Sequence, residues 1–265
     1  MTRITIGQYY PTGSVIHRTD PRVKLAITLL YITSLLFVNH FAGYIIAAVY
    51  IYALIKMSKV PFVLILRGLR PVMFMLVFAA AINLFLTPGE NVLVQFAFIR
   101  ITSQGVIMAG QMASRLTLLI MGTSILTLTT SPIELTDGIE AGLRPLKKLK
   151  VPAHDIAMMM TIALRFIPTL ADELDKIMKA QKARGADFET GSLMKRAKSL
   201  VPILVPLFVS AFKRADELAT AMEARCYRGD VNRTKMKVMK TTPADWAGVV
   251  ITIIVVVAIF MTRYI

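Results

Sequence analysis

Residues 156–188 read IAMMMTIALRFIPTLADELDKIMKAQKARGADF, and the spacing of their apolar side chains predicts one long helix. The apolar positions advance by alternating steps of four and three, the heptad spacing of a helix that packs along a seam. They are Ile156, Met160, Ala163, Ile167, Leu170, Leu174 and Ile177. Seven residues further the stripe reaches Arg184, so a basic residue stands at the C-terminal end of an apolar face.

A second stretch repeats this arrangement after GADFETGS (185–192), a segment rich in turn-forming residues. Its stripe has the same alternating steps and consists of Ala197, Val201, Leu204, Phe208, Ala211, Ala215, Leu218 and Met222. Three residues later the stripe reaches Arg225. The sequence therefore predicts two long helices packed on each other, with Ala211 and Ala215 permitting close approach. Pro168, Pro202 and Pro206 lie inside these patterns, and because an interior proline costs about 3 kcal/mol or more, we expect bends there.

Each helical pattern ends in an Ala-Arg pair, Ala183-Arg184 in the first and Ala224-Arg225 in the second. A cation at a helix C-terminus interacts favourably with the helix dipole by about 0.3–1 kcal/mol, so a surface helix cap is one interpretation of each arginine. Two arginines in the same heptad phase favour a second interpretation, a paired docking surface. Arginine suits docking because its planar guanidinium can engage a carboxylate through two hydrogen bonds, which lysine cannot.

The rest of the chain is strongly apolar. Hydrophobic residues make up 55% of the 265 residues and the mean hydropathy is +0.62, whereas soluble domains contain roughly 45–50% apolar residues with glycine included. Five segments approach the length of about 20 apolar residues that crosses a bilayer. The predicted spans are Val23–Asn39, Gly43–Met57, Pro71–Thr87, a segment within Val106–Thr130, and Ala244–Thr262. We expect an all-α integral protein of the cell membrane.

Basic residues beside the predicted spans indicate the orientation. They are Arg18, Arg22 and Lys24 before the first span, and Lys56, Lys59, Arg67 and Arg70 between the second and third. The turns NHFAG (39–43) and TPGEN (87–91) contain no Lys or Arg. By the positive-inside rule, the N-terminus and residues 131–240 are expected in the cytoplasm and the C-terminus outside. The expected regions are a membrane part with four spans over residues 1–130, a cytoplasmic helical region over 131–240, and a fifth span within 241–265.

Short motifs predict where helices begin. Ser131-Pro132-Ile133-Glu134 and Thr242-Pro243-Ala244-Asp245 both have the spacing of a capping box, with proline at the first helical position. Between the third and fourth spans, VLVQFAFIRIT (92–102) alternates loosely between apolar and polar residues. Either a short extracellular hairpin or a shallow amphipathic segment is compatible with this pattern.

Charge and motif patterns argue against several function classes. The net charge of +15 is not a one-sided basic stripe, because residues 131–240 mix 20 Lys/Arg with 13 acids, so we expect no nucleic-acid partner. The chain contains neither a phosphate-binding G-x-x-x-x-G-K-[ST] loop nor a G-x-S-x-G nucleophile motif. His17, His40 and His154 are far apart in sequence and Cys226 is the only cysteine, so we expect no metal site and no intrachain disulfide.

Two further arginines each have a functional and a structural interpretation. Arg115 lies within a predicted span, where a charge is by default a functional candidate. We favour the alternative that Arg115 snorkels or faces the cytoplasmic helices. Arg165 precedes Pro168 by one helical turn, and we expect it to hold the bent helix by pairing with an acid such as Asp172.

Several segments together resemble the transmembrane T-component of energy-coupling-factor (ECF) transporters, in the family of the cobalt and nickel transport proteins. The segments are Ile6–Leu25, with Asp20-Pro21-Arg22 and Lys24; ALRFIPTLADE (163–173); AQKARGADF (180–188); and AMEARCYRG (221–229). The resemblance covers nearly the whole chain. It implies an L-shaped arrangement in which long cytoplasmic coupling helices cross beneath the membrane. Structural roles are expected for Asp20, Arg22, Arg165 and Pro168.

The resemblance also implies partners. In this family, arginine-bearing tips dock into two ABC-type ATPase subunits, and the coupling helices cradle a membrane-embedded substrate-binding S-component. Carried over, one docking motif is Ala183-Arg184-Gly185 and the other is Ala224-Arg225-Cys226, where Cys226 replaces the family's glycine. The stripe residues become candidates for packing between the coupling helices or for contact with the S-component. The chain itself is then a non-catalytic scaffold for uptake of a vitamin or similar micronutrient. It has no cofactor of its own, because ATP and Mg are bound by the ATPases.

Two other functions fit the sequence less well. A stand-alone secondary transporter predicts internal repeats, interrupted helices and charges at mid-membrane, and only Arg115 comes near this pattern. An intramembrane enzyme predicts clustered acids or histidines in the spans, and the predicted spans contain no Asp or Glu apart from Asp245 in the first turn of the last one.

Overall fold

The computed structural model describes residues 9–88, 92–96, 99–149, 152–188, 192–229 and 241–262. They fall into two compact units, a larger one within Gly7–Gly138 and Val238–Ile265 and a smaller one within Ile139–Lys237. In chain order the described elements are α1 (Val15–Arg18), α2 (Pro21–Leu36), α3 (Phe41–Ser58), α4 (Phe62–Leu69), α5 (Met73–Leu86), β1 (Val92–Phe96), β2 (Ile99–Thr102), α6 (Ser103–Thr129), α7 (Pro132–Leu143), α8 (Ala153–Ala183), α9 (Leu193–Ala224) and α10 (Pro243–Met261). The predicted all-α class is confirmed, with one small hairpin.

Helix α6 is the centre of the larger unit. It packs against α2, α3, α4 and α5, while α10 packs against α2 and α3. The buried apolar core between these helices includes Tyr31, Leu35, Ala47, Ile51, Ile65, Leu118 and Ile125. Because lipid tails are as apolar as these side chains, their close packing, more than exclusion from water, selects this arrangement inside a membrane.

Four helical segments are long and apolar enough to cross a membrane, judged by length and composition over the described residues. They are α3, the α4–α5 segment Phe62–Leu86, α6 and α10. These segments agree with four of the five predicted spans. Helix α2 has 16 residues, which at 1.5 Å per residue gives about 24 Å against a hydrocarbon core of about 30 Å. A fifth crossing by α2 therefore stays a prediction.

The local helix-start motifs form as the sequence predicts. At the start of α7, the backbone N–H of Ser131 donates to Glu134 Oε2 at 3.2 Å, and the backbone N–H of Glu134 donates to Ser131 Oγ at 3.3 Å. At the start of α10, Thr242 and Asp245 form the second capping box, in which the backbone N–H of Thr242 donates to Asp245 Oδ2 at 2.6 Å. Both boxes satisfy backbone donors that a helix N-terminus leaves without partners.

The segment between α5 and α6 is an antiparallel hairpin, which decides between the two alternatives left by its sequence pattern. Strands β1 and β2 pair with Val94 opposite Ile101 and Phe96 opposite Ile99. The side of the membrane on which the hairpin lies stays a prediction.

Helix α7 begins within the larger unit, because Gly138 packs closely against α2. A Cβ placed on Gly138 would come within 2.8 Å of Leu25 Cδ1 and 3.3 Å of the Pro21 backbone. The boundary between the two compact units accordingly falls after Gly138.

The smaller unit is dominated by the two predicted long helices, α8 with 31 residues and α9 with 32. They pack against each other, which confirms the predicted helix pair. Helix α8 continues through Pro168, and α9 continues through Pro202 and Pro206.

Candidate functional site

The first Ala-Arg tip ends α8 in a Schellman cap. Gly185 has φ +85°, in the left-handed region that glycine enters without steric penalty. Its N–H donates to the Lys182 carbonyl at 3.0 Å, and the N–H of Ala186 donates to the Gln181 carbonyl at 3.0 Å. These two bonds satisfy carbonyls that the helix end leaves without donors and fix the backbone on both sides of Arg184.

The second tip ends α9 in the same cap, although the left-handed residue is Cys226, with φ +54°. The Cys226 N–H donates to the Glu223 carbonyl at 2.8 Å, and the Tyr227 N–H donates to the Met222 carbonyl at 3.1 Å. The left-handed conformation costs a residue with a side chain about 1–2 kcal/mol. The departure from glycine thus preserves the helix end at an energetic cost, and Arg225 occupies the position in its cap that Arg184 occupies in the other.

Both tips are open to solvent. Ala183, Arg184 and Gly185 are exposed, and so are Ala224, Arg225 and Cys226. The two guanidinium groups are therefore presented on rigid, equivalent backbone frames.

Two contacts fix α8 and α9 in an antiparallel register. Gln181 Nε2, near the end of α8, donates to the Pro202 carbonyl in the first third of α9 at 3.2 Å. Tyr227, just beyond the end of α9, donates from its hydroxyl to Met158 Sδ near the start of α8 at 2.9 Å. In this register roughly 25 residues of α9 separate the level of Arg184 from Arg225, on the order of 40 Å at 1.5 Å per residue. The two tips therefore lie at opposite ends of the helix pair.

The predicted apolar stripes are only partly covered. On α8, Ile156, Met160, Leu170, Leu174 and Ile177 are half-buried, whereas Ala163 and Ile167 are exposed. On α9, Ala211, Leu218 and Met222 are half-buried, whereas Val201, Leu204, Phe208 and Ala215 are exposed; Ala197 is described by its backbone alone. The stripe positions nearest the Arg225 tip are thus the better covered ones on α9.

The N-terminal half of α9 buries a different position from those in the stripe. Ile203 is 3% exposed, while its neighbours form a continuous uncovered apolar surface. This surface, the α9 apolar face, consists of Leu200, Val201, Leu204, Val205, Phe208, Val209 and Phe212. The stripe prediction included three of these residues, and the remaining four were missed because a single heptad stripe describes one contact, whereas this stretch is apolar on several sides.

The predicted structural residues have different surroundings. Asp20 is buried and caps α2, where its Oδ1 accepts from the backbone N–H of the exposed Arg22 at 2.9 Å. Pro168 and Arg165 are both exposed on α8. The expected ion pair between Arg165 and Asp172 is not formed in the described structure, since the two residues are seven positions apart and both side chains face solvent.

Arg115 forms two hydrogen bonds within the larger unit. Its Nη2 donates to the Val38 carbonyl at 2.6 Å and its Nε donates to the Tyr44 hydroxyl at 3.1 Å. Val38 lies just after the end of α2, where backbone carbonyls lack helical donors and attract a cation. These partners lie just after α2 and in the first turn of α3, both within the larger unit. That Arg115 snorkels or faces the cytoplasmic helices stays a prediction.

A buried polar cluster in the larger unit was not found from the sequence. Lys24 is 6% exposed, and its Nζ donates to the carbonyls of His17 at 3.1 Å and Thr129 at 3.0 Å. Asp245, 1% exposed, accepts the Asp20 backbone N–H on Oδ1 at 3.1 Å as well as closing its own capping box. The cluster ties α1, α2, α6 and α10 together. The sequence showed these residues only as a flanking cation and a helix start.

No group of three or more His, Cys, Asp or Glu in the described part of the chain is arranged to hold a metal ion. The exposed cationic tips and the α9 apolar face are two features able to bind partners. A family model described as "Cobalt transport protein", CbiQ, matches residues 12–238. The chain belongs to the CbiQ family.

Relatives extend the match of this CbiQ-family chain over its full length. It is 56% identical over 261 residues to the energy-coupling factor transporter transmembrane protein EcfT of Clostridium kluyveri, covering 98% of this chain and 97% of that protein. It is 52% identical to the protein of the same name from Thermosediminibacter oceani, with all of both chains covered. The identity to its Bacillus subtilis counterpart is 43% over 263 residues. The resemblance drawn from the sequence motifs is thereby confirmed.

Proposed function

We propose that this chain is the non-catalytic coupling subunit of an ECF transporter, and that Arg184 and Arg225 each dock one ABC-type ATPase subunit. The observation that carries the proposal is the pair of exposed arginines held in equivalent helix caps at opposite ends of α8 and α9. A separation on the order of 40 Å suits two ATPase subunits side by side better than one shared groove. ATP and Mg would be bound and hydrolysed in those subunits.

Coupling would follow from the rigidity of the helix pair. Because the Schellman caps fix each arginine relative to its helix, a displacement of either ATPase would move α8 or α9 as a body. The α9 apolar face supplies a surface for the membrane-embedded S-component, because an uncovered apolar stretch of this size on a helix typically marks a protein or membrane contact. The S-component would select the vitamin or micronutrient that is taken up.

Co-purification of the transporter from membranes tests the docking role. We would compare Arg184→Ala, Arg225→Ala and the double variant with Lys176→Ala and Lys213→Ala, which remove an exposed cation from α8 and α9 away from the tips. The proposal predicts loss of bound ATPase and of ATP-driven uptake in the double variant and retention of both in the lysine controls. Transport by the double variant, or uptake by the purified chain without any ATPase, would contradict the docking role and leave the two arginines as simple helix caps.

The two tips differ in chemistry although their backbone caps are equivalent. Gly185 and Cys226 occupy matching positions, so any discrimination between two non-identical ATPases must come from side chains at and around the caps. Exchanging the two residues, Gly185→Cys with Cys226→Gly, tests this part of the proposal. Unchanged pairing of each tip with its ATPase would count against a role for these positions.

The cytoplasmic location of the tips follows from the proposal, together with an N-terminus inside and a C-terminus outside. Cys226 is the chain's only cysteine and is exposed, so it serves as a built-in probe. A membrane-impermeant maleimide should label it in inside-out vesicles stripped of ATPases and fail to do so in right-side-out ones. Labelling from outside would reverse the proposed orientation.

A further inference from the structure

An apolar groove in the larger unit lies beside two lysines at the C-terminal end of α3, and neither the transport role nor the tips account for it. The groove, of about 640 Å³, lies between α3, α4 and α6. Its wall on α3 includes Tyr44, Ala48, Tyr52 and Ile55, and Phe62 at the start of α4 also lines it. The lining is mostly apolar, with Ser114 and Thr117 on α6 as hydroxyl-bearing exceptions, which suits an apolar chain better than a polar solute.

The lysines continue the α3 wall of this groove. Residues three and four apart share one face of a helix, and Ala48, Tyr52 and Lys56 follow this spacing. Lys59, three positions after Lys56, is the left-handed C-cap residue of α3 and brings a second cation to the same helix end. The Lys56 ammonium lies 5.2 Å from the centroid of the Tyr52 ring. One cation is thus stacked on a side chain that lines the groove, and a second follows within one helical turn.

No carboxylate in the described part of the chain pairs with either of these cations. Lys56 and Lys59 are both exposed, and neither forms an ion pair with a described residue. In sequence, no acid occurs between Asp20 and Glu90, whereas Lys56, Lys59, Arg67 and Arg70 all fall in that interval. At the other end of the α3 wall, Arg115 lies against Tyr44, but its guanidinium already donates to the Tyr44 hydroxyl and the Val38 carbonyl. Apolar walls with exposed positive charge at the Lys56 end are complementary to a lipid with an acyl chain and an anionic headgroup.

We propose that this groove binds an anionic glycerophospholipid, with an acyl chain along α3 and the phosphate on Lys56 and Lys59. The occupant is a lipid rather than a helix of another protein, because the positive charge stands at the end of the groove where an acyl chain meets its headgroup. The proposal does not rest on the coupling role of α8 and α9.

Native mass spectrometry of the full chain in detergent tests the proposal, with phosphatidylglycerol and phosphatidylcholine of identical acyl chains titrated in parallel. We expect tighter binding of phosphatidylglycerol and about a 30-fold loss of that binding in Lys56→Gln/Lys59→Gln, from the attraction of two basic residues to an anionic headgroup. Arg67→Gln/Arg70→Gln removes the same charge from the end of α4, at residues that do not line the groove, and should retain the preference. Because both double variants remove two positive charges, any effect of charge removal on membrane orientation should be the same in the two.

A second variant tests the groove itself. Ala48 lines the wall and is exposed, so Ala48→Trp fills the groove with both lysines intact and should abolish the binding of either lipid there. This variant decides the question by itself if the double lysine variant does not fold. Equal binding of the two lipids, equal loss in the arginine control, or unchanged binding in Ala48→Trp would each overturn the proposal.

Discussion

Gln181 donates from its side chain to the Pro202 carbonyl, the acceptor that Pro206 leaves without a helical donor. In an α-helix the carbonyl of residue 202 would accept from the N–H of residue 206, and proline has none. Helix α8 thus supplies the hydrogen bond that α9 lacks. The missing N–H of Pro206 leaves the Pro202 carbonyl free to accept a bond between the two helices. The same bond sets the register that places Arg184 and Arg225 at opposite ends.

A double-mutant cycle follows from this relationship. Gln181→Ala should lower the free energy of unfolding by about 0.5–1.5 kcal/mol, the usual net value of a hydrogen bond. In a Pro206→Ala background the restored N–H bonds the Pro202 carbonyl, so Gln181→Ala should have almost no effect. Urea unfolding in detergent measures the unfolding free energy of the four full-length proteins in the cycle: the unaltered chain, the two single variants and the double variant. Additive effects of the two substitutions would contradict the account.

The left-handed caps predict opposite effects at matching positions. Cys226→Gly should raise the unfolding free energy by up to about 1 kcal/mol, since glycine removes the steric penalty at φ +54° but loses more entropy on folding. Gly185→Ala should lower it by about 1 kcal/mol, because it introduces the same penalty at φ +85°. Thermal unfolding of both variants tests whether their changes in unfolding free energy have opposite signs. Destabilisation by Cys226→Gly would show that the thiol makes a compensating contact.

The buried Lys24 should be critical for folding of the larger unit. Lys24→Met keeps the length of the side chain but leaves two carbonyls, of His17 and Thr129, without their donor. An unpaired buried acceptor costs about 1–3 kcal/mol, so a total loss of roughly 2–6 kcal/mol is expected. Gel filtration of detergent-extracted protein, with exposed Arg22→Met as control, measures the folded fraction. Equal yields of the two variants would mean that the bonds contribute little.

Arg115 should stabilise the connection between α2 and α3. Arg115→Leu removes charge-assisted hydrogen bonds to Val38 and Tyr44 and should lower the unfolding free energy by about 1.5–3 kcal/mol. Tyr44→Phe should be milder, because Arg115 still reaches the Val38 carbonyl. Thermal unfolding distinguishes the two variants, and uptake assays provide a second readout. Loss of uptake without loss of stability would instead support a functional role for this intramembrane charge.

The sequence by itself determined the features that depend on neighbouring residues. The heptad stripes predicted α8 and α9, the Ser131–Glu134 and Thr242–Asp245 spacings predicted capping boxes that form, and apolar length predicted four of the segments able to cross a membrane. Helical periodicity, capping and hydrophobic length depend on residues close together in the chain, so the amino-acid sequence alone is enough to predict them. The Ala-Arg tips were also visible, because each ends a periodic pattern.

Only the tertiary structure decided which distant segments meet. The Gln181 and Tyr227 contacts set the antiparallel register, Lys24 donates to carbonyls on α1 and α6, and Arg115 donates to the carbonyl of Val38 just after α2. The left-handed conformation of Cys226 is likewise known only from the structure of its helix cap, because the sequence gives no reason to expect a positive φ at a residue with a side chain. Each outcome depends on packing and hydrogen bonding between residues far apart in the chain, which periodicity does not encode.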